Sequence, residues 1–124
     1  MGCRILIIDD ERDFADLVRT VAVEMGHEAV AVDNADDFKA NFLRDRPEIV
    51  LTDIVMPECD GIELIRWLVE QGYDSRLVAI TGFNPAYAEM AGALANATGR
   101  MQTVVLGKPV ALADLRRALT PDAG

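Results

Sequence analysis

Short apolar runs alternate along this chain with segments whose apolar residues recur at helical spacing. The apolar runs predict five strands, at residues 4–8, 28–32, 49–52, 76–80 and 103–106. The segments between and after them predict five helices, at residues 11–25, 35–43, 61–70, 85–97 and 111–119. The strands do not alternate between apolar and polar residues, so we expect them to be buried on both faces. That pattern indicates a parallel sheet with helices on each side.

The first helix is predicted to turn one apolar face toward this sheet. That face is formed by Phe14, Leu17, Val18, Val21 and Met25. Gly26 is expected to end the helix. His27, the only histidine of the chain, is then predicted to be a solvated turn residue.

Length, composition and charge narrow the classes of protein. A chain of 124 residues fits a single domain over residues 1–124, and 51% hydrophobic residues are enough for a core. The net charge of −9 argues against direct binding of nucleic acid and suits cations or a basic protein surface. The N-terminal apolar run is too short for a signal peptide or a membrane span. We therefore expect a cytoplasmic protein without a membrane partner.

Chemically interesting residues stand where the predicted strands end. Asp9 and Asp10 follow the first strand, Asp53 the third, Thr81 the fourth and Lys108 the fifth. Each has an ordinary alternative: Asp10 as a helix cap, Asp53 as a turn residue, Thr81 as a β-branched strand residue and Lys108 as a solvated lysine. The carboxyl ends of parallel strands meet at one edge of a sheet, where ligands collect. We therefore expect these five side chains to lie together.

Such a group of side chains suits phosphoryl transfer. Three neighbouring carboxylates repel one another unless a cation lies among them. Oxygen ligands without histidine or thiolate indicate Mg²⁺. A carboxylate beside Mg²⁺ and a lysine is a plausible phosphoryl acceptor, because the cations neutralise the charge that develops on the transferring group.

At this point the chain resembles the receiver domain of two-component response regulators. The resemblance covers about residues 4–119 and rests on IDDE at 8–11, TDIVMPECDG at 52–61, AITG at 79–82 and GKP at 107–109. It implies a flavodoxin-like, doubly wound α/β fold with a five-stranded parallel sheet in the order 2-1-3-4-5. It also implies a cis peptide bond between Lys108 and Pro109.

The resemblance implies a role for each matched residue. Asp53 is the phosphoacceptor and also a metal ligand. Mg²⁺ is further held by Asp9, by Asp10 and by the backbone carbonyl of Val55. Thr81 and Lys108 contact the phosphoryl group.

The resemblance also implies a function. The phosphoryl group comes from the phosphohistidine of a sensor histidine kinase or a phosphotransfer protein. Phosphorylation then changes a surface that binds a downstream output protein or an attached output domain. The chain would be a phosphoacceptor that assists its own phosphorylation and dephosphorylation, and not a conventional turnover enzyme.

The chain departs from the family pattern near the fifth strand. Val105 stands where the family usually has Tyr or Phe, and Val110 replaces the usual aromatic after the Lys-Pro pair. The interval from Thr81 to Lys108 is also longer than usual, mostly through residues 97–102. The coupling of a threonine to a rotating aromatic ring therefore cannot be transferred to this chain.

Three other functions fit parts of the pattern. A Mg²⁺-dependent phosphohydrolase with an aspartyl-phosphate intermediate commonly has a second Asp two residues after the nucleophile, where this chain has Val55. A flavin-binding electron carrier of the same fold would need a phosphate loop after the first strand, where the acidic IDDERD would repel phosphate. A non-phosphorylated scaffold is disfavoured by the complete acceptor set.

Cys3 and Cys59 are expected at opposite sheet edges, too far apart for a disulfide.

Overall fold

The computed structural model describes residues 2–54, 61–82, 89, 93 and 101–120. Its strands are β1 (Arg4–Ile8), β2 (Glu28–Val32), β3 (Ile49–Asp53), β4 (Arg76–Thr81) and β5 (Gln102–Gly107). The helices of the described residues are α1 (Arg12–Glu24), α2 (Ala35–Asp45), α3 (Gly61–Glu70) and α4 (Leu112–Ala118). All strands are parallel and form one sheet in the order β2-β1-β3-β4-β5. The predicted flavodoxin-like α/β fold is therefore confirmed.

The element boundaries agree closely with those predicted. β1, β2 and α3 have the predicted bounds, and β3 and β4 each extend one residue further. Asp53 and Thr81 are consequently the last residues of their strands rather than the first residues of the following loops. The helix predicted at residues 85–97 lies outside the described residues, apart from Glu89 and Ala93, whose backbone is helical.

The core has two halves, one on each face of the sheet. Because side chains alternate along a strand, Leu6 and Ile8 of β1 pack on the face that α2 and α3 cover. Ile5 and Ile7 pack on the opposite face, against α1 and α4. Both faces of the central strands are thus buried, as the continuous apolar runs predicted.

Two expectations about burial were wrong. Leu17 does not face the sheet, since it is 49% exposed. Val18 and Val21 are buried as predicted, and the inward stripe of α1 also includes Ala15 and Ala22, which were not counted in the apolar pattern. The outer strands β2 and β5 are also only partly buried, because each pairs with a neighbour on one side only.

His27 was predicted to be solvated, and this was wrong. It is only 8% exposed, and its Nδ1 atom accepts a hydrogen bond of 3.0 Å from the backbone N–H of Cys3. Gly26, at φ 88°, reverses the chain so that His27 folds back over the beginning of β1.

Cys3 is a buried free thiol, whereas Cys59 lies outside the described residues, so the expected lack of a disulfide stays a prediction.

Within the described part of the chain, no helix is both long enough and apolar enough to span a bilayer.

Candidate functional site

The sheet brings the predicted site residues to one edge. Asp53 ends β3 and Thr81 ends β4, while Asp9 directly follows β1 and Lys108 directly follows β5. These four strands are consecutive neighbours in a parallel sheet, so their carboxyl ends lie side by side. The backbone N–H of Lys108 donates a 2.9 Å hydrogen bond to the carbonyl oxygen of Thr81, which joins the ends of β4 and β5.

Three carboxylates cluster at this edge. One oxygen each from Asp9, Asp10 and Asp53 lies within 4.8 Å of the others. Asp9 and Asp53 are buried, whereas Asp10 is exposed. The N-cap of α1 is Glu11, so the alternative that Asp10 caps this helix is not what the structure shows. The sheet has therefore collected three negative charges in a small volume.

Asp9 is the most deeply buried member of this cluster. Its Oδ1 atom accepts a 2.8 Å hydrogen bond from the backbone N–H of Glu11. Among the described residues, its buried Oδ2 atom has no hydrogen-bond partner. Burial raises the pKa of Asp9 to about 6, although the Glu11 hydrogen bond and the charge of Lys108 oppose that rise. Asp53 and Asp10 raise it further through charge repulsion.

These donors fit a hard divalent cation. All three are carboxylate oxygens, which Mg²⁺ prefers. A bound cation would also coordinate the buried Oδ2 atom of Asp9, which accepts no hydrogen bond from the described residues. The cation would also relieve the repulsion among the carboxylates. The carbonyl of Val55, predicted as another ligand, lies outside the described residues.

Lys108 extends its ammonium group into the cluster. Its Nζ atom lies 3.1 Å from Oδ2 of Asp53 and 3.9 Å from Oδ2 of Asp9, and its side chain is only 20% exposed. Burial disfavours the charged amine. The hydrogen bond to Asp53 and the charge of Asp9 outweigh this effect, so the pKa of Lys108 is raised. The peptide bond to Pro109 is cis, as the family resemblance implied.

Gly61 fixes the end of β3 against the start of α3. Its N–H donates a 3.0 Å hydrogen bond to the carbonyl oxygen of Ile54. A Cβ atom at Gly61 would lie 2.5 Å from the carbonyl oxygen of Asp53 and 2.5 Å from Cα of Ile54. Only glycine allows this approach, so the helix start supports the backbone that carries Asp53.

Two neighbours of Lys108 were not assigned to the site from the sequence. Oε1 of Glu11 lies 3.2 Å from Nζ, and the ring centroid of Phe14 lies 5.0 Å from the same atom. The sequence pattern placed Glu11 at the helix start and Phe14 on the inward helical face. The available signal was their position in the first turn after Asp9 and Asp10, on the helix nearest the acidic pair.

Val105, which stands in place of the usual aromatic, lies in β5 and is 40% exposed. It is not part of the carboxylate cluster. The aromatic ring that the family usually has at this position is therefore replaced by an exposed aliphatic side chain.

Comparison with known proteins identifies the family. The family model for the response regulator receiver domain matches residues 5–120. Response regulator MprA from Mycolicibacterium vanbaalenii is 31% identical to this chain over an alignment of 131 residues. The alignment covers 100% of this chain and 54% of MprA. The response regulator receiver protein CpdR from Brucella abortus is 35% identical over 80 residues, which cover 64% of this chain and 67% of CpdR. The chain thus spans about half the length of MprA.

Solved structures show the same fold. NtrX from Brucella abortus superimposes with a TM-score of 0.82 at 28% identity, over 96% of this chain and 28% of the NtrX chain. The chemotaxis response regulator CheY4 of Vibrio cholerae has a TM-score of 0.80 at 17% identity, over 96% of this chain and 97% of CheY4. The second likeness concerns the fold alone. Since the family model covers nearly the whole chain, the protein belongs to the response regulator receiver domains of two-component systems.

Proposed function

We propose that this chain is a receiver controlled by phosphorylation of Asp53. The phosphoryl donor is the phosphohistidine of a sensor histidine kinase or a phosphotransfer protein. The observation that carries the proposal is the position of the Lys108 ammonium, 3.1 Å from the Asp53 carboxylate and inside a cluster of three acids. Family membership supports the same role.

In the proposed reaction, a carboxylate oxygen of Asp53 attacks phosphorus. An O–P bond forms, the N–P bond of the donor breaks, and its electron pair remains on the imidazole nitrogen. Lys108 neutralises negative charge on the phosphoryl oxygens as the group transfers. The hydroxyl of Thr81, at the end of the neighbouring strand, donates a hydrogen bond to one of those oxygens.

Asp9, Asp10 and Asp53, together with the carbonyl of Val55, are the proposed ligands of Mg²⁺. When bound, the ion supplies positive charge that offsets both the carboxylates and the incoming phosphoryl group. Two observations support a cation at this point: within the described part of the chain the buried Oδ2 atom of Asp9 has no hydrogen-bond partner, and the pKa of Asp9 is raised.

The proposed output is a change in a protein-binding surface. Val105 is an exposed valine, so the change does not use a rotating ring at this position. The partner that binds this surface is a separate output protein or an output domain attached to the receiver. We place the receiver domain itself at residues 1–124. We propose a cytoplasmic phosphoacceptor, rather than a turnover enzyme, with neither nucleic acid nor membrane as a direct partner.

Family membership favours a receiver over the phosphohydrolase and the flavin carrier. A non-phosphorylated scaffold remains the principal alternative, and phosphate uptake distinguishes the two. Wild-type protein and Asp53→Asn are incubated with acetyl phosphate, with and without Mg²⁺, and weighed by intact-mass spectrometry. We expect one added phosphoryl group on the wild type in Mg²⁺ and none on Asp53→Asn.

The matched control for this experiment is Asp114→Asn. Asp114 lies in α4, forms an exposed 3.5 Å pair with Arg117 and is not a member of the carboxylate cluster. The Asp114→Asn variant should take up phosphate like the wild type. Equal uptake by Asp53→Asn would refute the assigned acceptor, and no uptake by the wild type would favour the scaffold.

A further inference from the structure

We infer that Glu11 is a positioning residue for Lys108: its carboxylate holds the ammonium in the resting protein and releases it when a phosphoryl group arrives at Asp53. The inference rests on the proposed function, because it gives Lys108 a second position to move to. It concerns a side chain that the family resemblance did not assign to any role.

Three carboxylates surround the ammonium of Lys108 in the resting structure, and those of Asp53 and Glu11 are closer to it than that of Asp9, at 3.9 Å. The Nζ atom of Lys108 lies 3.1 Å from Oδ2 of Asp53 and 3.2 Å from Oε1 of Glu11. The ring of Phe14, with its centroid 5.0 Å away, provides a further favourable contact for the cation. Glu11 is therefore about as close to the ammonium as the acceptor itself.

Glu11 is well placed for a reversible contact. Its backbone N–H is bound to Oδ1 of Asp9, so its main chain is fixed to the cluster. Its side chain is 63% exposed, and although Glu11 is the N-cap of α1, it makes no side-chain hydrogen bond to cap the helix. The carboxylate is thus available to Lys108 and can leave it without disturbing α1 or Asp9.

Charge decides which partner Lys108 prefers. A phosphoryl group on Asp53 brings about −1.5 to −2 charges. Glu11 offers one carboxylate that is largely in water, where an ion pair is weak. The ammonium should therefore leave Glu11 for the phosphoryl oxygens. If the Glu11 contact exists only in the resting state, removing it should favour the phosphorylated state.

The chain offers a direct way to observe this movement. It contains only two lysines, Lys39 and Lys108, so selective isotope labelling of lysine gives one reporter signal and one internal reference. Lys39 lies over the ring of Trp67, with Nζ 5.6 Å from the centroid. Glu11→Gln keeps the backbone bond to Asp9 and removes the charge, and Asp13→Asn removes an equal charge two residues away.

The side-chain NMR signals of the lysines are recorded for the three proteins, before and after saturation with Mg²⁺ and beryllofluoride, a mimic of the phosphoryl group. In the resting state we expect Glu11→Gln to shift the Lys108 signal more than Asp13→Asn does, with Lys39 unchanged. After saturation, the Lys108 signals of wild type and Glu11→Gln should converge. A resting signal that does not move, or a difference that persists after saturation, would overturn the inference.

Affinity provides the second measurement. At saturating Mg²⁺, Glu11→Gln should lower the half-saturating concentration of beryllofluoride by about two- to five-fold, the range expected for loss of an exposed ion pair. Asp13→Asn should change it less. An equal change in both variants would assign the effect to general charge and refute a specific contact. If the wild type does not bind Mg²⁺ and beryllofluoride at all, the proposed function fails, and the resting Lys108 signal alone then decides whether Glu11 holds the ammonium.

Discussion

The ammonium of Lys108 lies 3.1 Å from the Asp53 carboxylate, although the two residues are 55 positions apart in the chain. Between them lies β4, since Asp53 ends β3 and Lys108 directly follows β5. β4 also supplies the Thr81 carbonyl that binds the backbone N–H of Lys108. The sheet itself therefore holds the ammonium of Lys108 beside the carboxylate of Asp53.

The first prediction concerns Asp10, the exposed member of the proposed Mg²⁺ site. Asp10→Asn should weaken Mg²⁺ binding by at least the roughly 10–100-fold that loss of an outer-shell partner causes. Asp10 is exposed, so the free energy of unfolding without metal should change little. Mg²⁺ titration followed by amide chemical shifts gives the affinity. The exposed Asp33→Asn is the control, and equal affinities for the two variants would argue against Asp10 as a ligand.

The sequence predicted the sheet and the acidic edge because both depend on local patterns. Buried strands give continuous apolar runs, and the residues at the ends of β1, β3, β4 and β5 reach the same edge by geometry alone. Asp53 and Thr81 were correctly placed at the ends of their strands, and the predicted apolar runs stopped one residue earlier only because both residues are polar.

Contacts between distant segments could not be predicted in this way. The bond from Cys3 to Nδ1 of His27 joins residues 24 positions apart, and no local pattern distinguishes a buried histidine from a solvated one. The contact of Glu11 with Lys108 has the same character. The prediction that Leu17 faces the sheet was wrong for a different reason. The helix packs against the sheet through Ala15 and Ala22, and a pattern of large apolar residues does not include these alanines.

The second prediction concerns pH and Asp9. Its pKa is raised from 3.8 to about 6, so the folded protein binds this proton more tightly than the unfolded chain does. The contribution of Asp9 to stability without metal should therefore become more favourable as the pH falls from about 7 to about 4. Asp9→Asn should raise the free energy of unfolding by about 1–3 kcal/mol near neutral pH, and this gain should disappear near pH 4.

Urea unfolding of wild type and Asp9→Asn across this pH range, without Mg²⁺, tests the effect of burying the charge. Asp33→Asn, at an exposed site, should show no comparable gain. A destabilised Asp9→Asn at neutral pH would show that the buried carboxylate contributes more through its hydrogen bond to Glu11 than it costs in desolvation.

The third prediction concerns the close approach at Gly61. Gly61→Ala would place a Cβ atom 2.5 Å from backbone atoms of Asp53 and Ile54, so β3 and α3 must separate. We expect a loss of about 1–3 kcal/mol in stability and slower phosphate uptake from acetyl phosphate. Gly82→Ala is the control, because among the described residues its Cβ would meet nothing within 4 Å. Equal unfolding free energies for the two variants would contradict the packing argument.

The last prediction concerns Arg76, a buried cation at the sheet edge opposite the site. Its guanidinium donates hydrogen bonds to the carbonyl oxygens of Ala118 at 2.9 Å and Thr120 at 2.6 Å, and to the side chain of Gln102 at 3.1–3.2 Å. It therefore joins the end of α4 to the beginnings of β4 and β5. Arg76→Met keeps much of the aliphatic volume but removes the charged donor from these hydrogen bonds, which should cost about 2–4 kcal/mol.

Urea unfolding and amide hydrogen exchange measure this loss and its location. Exchange should increase most at the end of α4, including the N–H of Leu119, which donates to the carbonyl of Leu115. Arg116→Met removes an exposed arginine from the same helix and should change stability by less than about 0.5 kcal/mol. Arg76 begins β4 and Thr81 ends it, so Arg76 lies at the opposite end of the strand from the site. Under conditions in which Arg76→Met is folded, it should therefore still take up phosphate at Asp53. Exchange that rises equally in all helices would show that Arg76 stabilises the whole fold rather than the attachment of α4.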